Sequence, residues 1–185
     1  KIIIQSNKVL VIFSFVQKDK AEKMQDSYGL SADSEAFASC YHGWGRRSFG
    51  DTHIVFHQPS RKASLWTNLD IAGHEIAHAN SWATDNEMTP EERIDLLLVI
   101  GERIDADDRF KSSYVESINN DDKKLERYTK ATEYWAEICE TYFARHSDDL
   151  NYKDWKIVDD VIKKSDPNFN PEEAKKERNN LVANL

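Results

Sequence analysis

The sequence predicts an α+β fold, in which a small N-terminal β-sheet packs on helices and the C-terminal half is mostly helical. Three observations predict it. β-Branched and aromatic runs crowd the N-terminal third, at Ile2–Ile4, Val9–Val16 and Thr52–His57. Thr89-Pro90-Glu91-Glu92 is a helix-start signal: a capping hydroxyl, a proline at the first helical position, then acids at the positive helix end. Beyond it the apolar residues recur at helical spacing.

Each element follows in order. Ile2–Ile4 and Val9–Val16 read as strands joined by the polar Gln5–Lys8. Val9–Val16 also has the length of a short signal core, but no small-residue cleavage site follows it, so a buried strand is expected. Lys18–Tyr28 reads as a short helix. Cys40–Gly50, CYHGWGRRSFG, is glycine-rich and reads as a loop. Thr52–His57 is a strand that Pro59 ends. Asp70 stands where it can cap a helix running to about Ala83. The next helix, after Pro90, carries Ile94, Leu97, Leu98 and Ile104. A long helix is expected from Asp122 to Arg145, with Tyr128, Tyr134 or Trp135, Ile138 and Tyr142 as its apolar side. Tyr152–Lys164 is another helix, and Pro171–Leu185 a charged terminal helix or tail. With no repeat and no linker, one domain over residues 1–185 is expected: a sheet-forming part at 1–60, a helical part at 61–165 and the terminal helix or tail at 166–185.

Composition narrows the function classes. Apolar residues make up 39% and charged residues 31%, and no run approaches the roughly 20 apolar residues of a membrane span. A net charge of −8 argues against a nucleic-acid partner, which selects a basic patch. It is compatible with a protein or peptide substrate. Neither Cys40 nor Cys139 lies in a CxxC pair, so no cysteine metal site is implied; one disulfide or two free thiols fit equally.

The chemistry concentrates in Leu69–Trp82, LDIAGHEIAHANSW. His74 and His78 are four residues apart and so share one face of a helix. Both can offer an imidazole nitrogen to one Zn2+ ion, and Glu75 can act as general base toward a water there. Ile71, Ile76, Ala77 and Ala79 let such a helix pack inside, and Ala72-Gly73 leaves room beside His74. The plain alternative is two core histidines one turn apart.

A catalytic zinc takes a third protein ligand and keeps a position open. Three candidates present themselves. After His78 the metzincin pattern would require a glycine and a third histidine; Thr84 occupies the histidine's place and Asp85 is one residue late. Glu102, in LLLVIGERIDAD, could serve as in thermolysin-like enzymes, with Asp105 and Asp107 orienting a histidine. Glu133, in YTKATEYWAEICETYF, lies one turn before Glu137 among aromatic residues, where a carboxylate needs a partner. Zinc is one; Lys130 or Arg127 would be the ordinary one. The chemistry favours Glu133 only modestly.

HEIAH followed by TEYWAEICETYF resembles the zinc-protease domain of the anthrax lethal factor family, whose relatives include the Pro-Pro endopeptidases. Those proteins carry HExxH and then a later helix with glutamate, two aromatics, alanine and glutamate; this chain has Glu133-Tyr134-Trp135-Ala136-Glu137. The resemblance covers about Thr52–Lys164 and rests on two short motifs. It implies a zincin-like fold, zinc held by His74, His78 and Glu133, Glu75 as general base, and Glu137 as a supporting residue. Two features depart from it. Glu133 follows His78 by 55 residues (133 − 78), a longer gap than the family expects. The family carries an oxyanion-binding tyrosine shortly before the ligand glutamate; position 126, one helical face back, is Glu126 here, and Tyr128 is nearby but shifted by two residues.

The remaining histidines carry less. His53 and His57 share one face of their strand, and a substrate could pair with that strand. His42 and Trp44 with Arg46-Arg47 sit in the glycine-rich loop, and His146 closes the long helix.

The expectation is therefore a zinc metalloendopeptidase acting on a protein or peptide substrate, with Glu75 and Tyr128 catalytic and His74, His78 and Glu133 binding metal. The resemblance further suggests a secreted or host-delivered bacterial toxin or effector. The alternatives are a catalytically inactive protein-binding domain of the same fold, and a metal-free helical interaction protein.

Overall fold

The computed structural model describes residues 2–5, 10–16, 38–42, 51–57, 70–78, 89–143 and 147–184. They fall in two compact units, Lys1–Thr89 and Pro90–Leu185.

In the first unit, β1 (Ile2–Gln5), β2 (Leu10–Val16), β3 (Ala38–His42) and β4 (Asp51–His57) form one sheet in the order β1-β2-β4-β3. β1 and β2 pair antiparallel, Ile2 opposite Phe13. β2 and β4 pair parallel, from Leu10 opposite Asp51 to Val16 opposite His57. β3 closes antiparallel on β4, with Cys40 opposite Ile54. Isoleucine and valine runs suit β1 and β2 because branched side chains fit a pleated surface. β3 occupies Cys40–His42, which the glycine content of CYHGWGRRSFG assigns to a loop. Its ladder to β4, from Ala38 opposite Phe56 to His42 opposite Thr52, rather than local propensity makes it a strand. β4 has a ladder on each side, so it offers no free edge to a substrate strand; β1 and β3 are the outer strands. Residues 70–78 form helix α1, and Asp70 is itself helical.

The second unit holds α2 (Pro90–Ile104), α3 (Ser113–Ser117), α4 (Lys123–Phe143), a 3₁₀ turn (Ser147–Asp149), α5 (Tyr152–Ser165) and α6 (Pro171–Ala183). Its helix starts follow side-chain capping. Asp122 accepts from the Lys124 and Leu125 amides ahead of α4. Asn151 accepts from Lys153 and Asp154 ahead of α5, and Asn170 from Glu172 and Glu173 ahead of α6. α4 is the central element and packs against α2, α3, α5, α6 and the 3₁₀ turn. Tyr134, Ile138 and Ala136 on α4, Ile100 on α2, Val115 on α3 and Val158 on α5 are all buried.

This core corrects the expected architecture. An α+β, zincin-like fold with an N-terminal sheet packed on helices is not what is found. Of the residues whose side-chain packing is described, 77% are helical and none belongs to a strand. The physical reason is that α4 carries apolar residues over a broad face and its helical neighbours cover them, so this core closes without a sheet. Two placements also change. Tyr128 is 46% exposed and lies off the apolar side of α4, and on α2 it is Ile100, not Ile94 or Leu98, that is buried.

A buried polar network sets the path of the chain between α2 and α3. Arg103 forms a two-pronged pair with Asp154, Nε to Oδ1 at 2.9 Å and Nη2 to Oδ2 at 3.1 Å. Its Nη1 donates to Asp108 at 2.7 Å. The Phe110 amide donates to Asp154 at 3.2 Å and to the Tyr134 hydroxyl at 3.1 Å. Asn151 Nδ2 donates to Asp154 at 2.7 Å and also to the Asp108 carbonyl. Asp154 is fully buried, and this density of donors is what a buried carboxylate requires. Burial first, and then Asp154, push the Tyr134 phenol well above its usual range.

Candidate metal centre

α1 brings the two histidines together as their spacing predicts. His74 Nε2 and His78 Nε2 are 3.1 Å apart. The rings meet edge to face, with centroids 4.8 Å apart and planes at 79°. Nitrogens at that separation either share one proton or both face a cation. Two nitrogens on one zinc, each bound at about 2.05 Å with tetrahedral angles, stand about 3.3 Å apart. The observed distance is close to that chord. Ala77 is buried beside the pair, as is the Glu75 side chain; Ile76 lies outward.

Glu133 comes from α4, half-buried between Ala131 and Tyr134. His74, His78 and Glu133 each offer one ligand atom, and these atoms lie within 4.8 Å of one another, a group that could hold a metal ion. That spread exceeds a tetrahedral chord by at most about 1.5 Å, a difference within the rotamer freedom of a glutamate. Two imidazoles and a carboxylate are a donor set that suits zinc, so the residues fit the ion.

The other candidates fall differently. Glu102 is exposed on α2 and is outside this group. Thr84 and Asp85 lie outside the described residues, as do Trp44, Arg46, Arg47, His146 and the expected Lys18–Tyr28 helix. The two cations that could have paired with Glu133 bond elsewhere: Lys130 with Glu126 at 2.8 Å and Arg127 with Asp105 at 2.8 Å. Glu126 also accepts from Lys123 at 2.7 Å and from the Asn120 amide at 3.2 Å. Hydrogen bonds from Lys123, then Lys130, then the Asn120 amide hold its carboxyl down at about 2. The position where the resembling family has tyrosine is thus an ion-pair node. Tyr128 precedes Glu133 by five residues, which turns it about 140° around the helix.

Glu137, one turn beyond Glu133, accepts from the Ser112 hydroxyl at 2.5 Å. Ser112 is a residue the sequence did not single out. Ser112 is the N-cap that precedes SYVES, and nothing in the sequence pairs it with a carboxylate on another helix. Cys139, on the same helix, is a free buried thiol whose pKa burial raises well above the usual range.

No family model matches the chain, and no curated protein or solved structure is found to be similar to it. Among the described residues, no helix is long and apolar enough to cross a membrane.

Proposed function

We propose that the chain is a zinc-dependent endopeptidase, hydrolysing a peptide bond of a protein substrate with water. The observation that supports it most is the grouping of His74, His78 and Glu133, with Glu75 adjacent to His74 on α1. The resemblance of HEIAH and EYWAE to the lethal factor family points the same way, and with it to a secreted or host-delivered protein. Zinc at this group would supply Lewis acidity, lowering the pKa of water from about 16 toward about 7 and polarising a carbonyl.

The chain's own residues do the rest. The two imidazoles and the Glu133 carboxylate bind the ion. The Glu75 carboxylate accepts the proton of the attacking water as the water oxygen joins the carbonyl carbon. It then delivers that proton to the departing amine, which regenerates the carboxylate. General base catalysis of this kind contributes about 10²–10⁴-fold.

The test measures zinc per chain in wild type, Glu133→Ala, Glu102→Ala and Glu75→Ala after dialysis against a mild chelator, alongside cleavage of a peptide library. Wild type, Glu102→Ala and Glu75→Ala are expected to hold one zinc each; Glu133→Ala loses it, and Glu75→Ala keeps it without cleaving. Zinc absent from wild type even after it is added back would overturn the reading. Zinc lost only in Glu102→Ala would move the third ligand to α2.

A further inference from the structure

We propose that the outer face of α2 is a docking surface for a basic amphipathic helix of a partner protein. The inference is independent of the metal centre.

At about 100° per residue, Ile94, Leu98, Glu91, Glu102, Asp95 and Val99 follow one another around about 140° of α2. All six are exposed, and the apolar three are so to a large extent: Ile94 at 56%, Leu98 at 60% and Val99 at 40%. Packing bounds this arc on both sides. At one edge Glu92 pairs with Lys164 of α5 at 3.6 Å. At the other, a Cβ on Gly101 would stand 3.5 Å from the Arg127 guanidinium of α4. Ile100, on the opposite side of α2, is buried. The helix thus puts one side into the core and leaves aliphatic side chains to water on the other, where a solvated helix is ordinarily polar. Ile94 and Leu98 form an i,i+4 ridge, the row of side chains that packs into the groove of a second helix.

The carboxylates on the arc define the chemistry of that second helix. Elsewhere in this unit Asp105, Asp108, Glu126 and Asp159 each hold a lysine or arginine. Glu91, Asp95 and Glu102 form no ion pair among the described residues. A second copy docked here about a twofold axis would set these carboxylates against one another. A nucleic acid or an anionic membrane would be repelled in the same way. A helix with lysines and arginines beside an apolar stripe complements both features of the arc.

The test titrates the full chain into a fluorescent synthetic peptide of leucine and lysine patterned as an amphipathic helix, with anisotropy as the readout. One control peptide has the same composition with the stripe scrambled, and a second has glutamate in place of lysine. Wild type is expected to bind the patterned peptide at least about tenfold more tightly than either control. Leu98→Ala and Ile94→Ala should each weaken binding about tenfold, the loss expected for an aliphatic side chain that the peptide buries. Asp95→Asn combined with Glu102→Gln should weaken it about fivefold and flatten its salt dependence. Glu173→Gln combined with Glu177→Gln removes the same charge from α6 and should leave binding within about twofold of wild type. All the substituted side chains are exposed, and circular dichroism checks that each variant is folded.

No binding of the patterned peptide by wild type would overturn the proposal. Equal binding of the scrambled peptide, or an equal loss from the α6 pair, would reduce the effect to net charge and overturn it too. So would a wild-type dimer in sedimentation that Leu98→Ala dissociates, because the occupant of the face would then be a second copy.

Discussion

At the scale of single residues, the grouping of His74, His78 and Glu133 was legible and its surroundings were not. His74 and His78 were readable because a helix converts a four-residue spacing into a shared face; a glutamate among aromatic residues requires a partner, but that favoured Glu133 only modestly, and the resemblance of EYWAE raised it. Ser112 was not readable, since its bond to Glu137 crosses from a short capped helix to a long one. Tyr128 shows the limit of transferring a motif. It was the nearest tyrosine to the position where the resembling family places an oxyanion donor, yet it is exposed and turned about 140° from Glu133. Tyr128→Phe decides its role without disturbing packing, because its side chain is not part of the core. A donor to the developing oxyanion would make the substitution cost about 10²–10³-fold in kcat with KM little changed. The orientation of Tyr128 on α4 leads us to expect kcat to stay near wild type. Steady-state cleavage kinetics of Tyr128→Phe check this, and a large fall in kcat alone would restore Tyr128 to the catalytic set.

At the scale of elements, helix starts were legible where capping is local. Thr89-Pro90 marks the start of α2, and α4 and α5 begin within a residue of their expected positions. What eluded the sequence was non-local: β3, made by its ladder to β4, and the strap between α2 and α3, made by Arg103 and Asp154. That pair is the element-scale feature with the largest energetic consequence. Asp154 is fully buried and Arg103 nearly so, and Arg103's guanidinium spans Asp154 and Asp108 together. Removing the carboxylate takes from the buried guanidinium its two-pronged partner, leaving it Asp108 alone, and takes an acceptor from Phe110 and Asn151. Asp154→Ala should therefore destabilise the protein by about 3–5 kcal/mol, a cost measured by urea unfolding. Arg103→Lys should also destabilise, because an ammonium cannot reproduce the two-pronged geometry. A loss below about 1 kcal/mol in Asp154→Ala, the range of an exposed pair, would mean that water reaches this site.

At the scale of the whole molecule, acidic residues outnumber basic ones, and stability depends on how the carboxylates are held. Asp108 and Glu126 are the clearest cases. Hydrogen bonds from Lys153, then Arg103, hold the Asp108 carboxyl down at about 2. The lysines and the Asn120 amide do the same for Glu126, also to about 2. In the unfolded chain both groups titrate near about 4. A carboxyl whose folded pKa is depressed binds its proton more readily when unfolded. Its stabilising contribution is therefore complete above about pH 5 and is lost as pH falls through about 4 toward about 2. Asp108 is half exposed, so salt should screen its share. The melting temperature should thus stay level from pH 7 to about 5 and fall steeply between about 4 and 2. Asp108→Asn, which cannot titrate, should start from a lower melting temperature at neutral pH and show a shallower acid decline. Calorimetric melting of both proteins across this range, at low and high salt, is the check. Parallel curves for wild type and Asp108→Asn would mean that the acid sensitivity originates in other carboxylates.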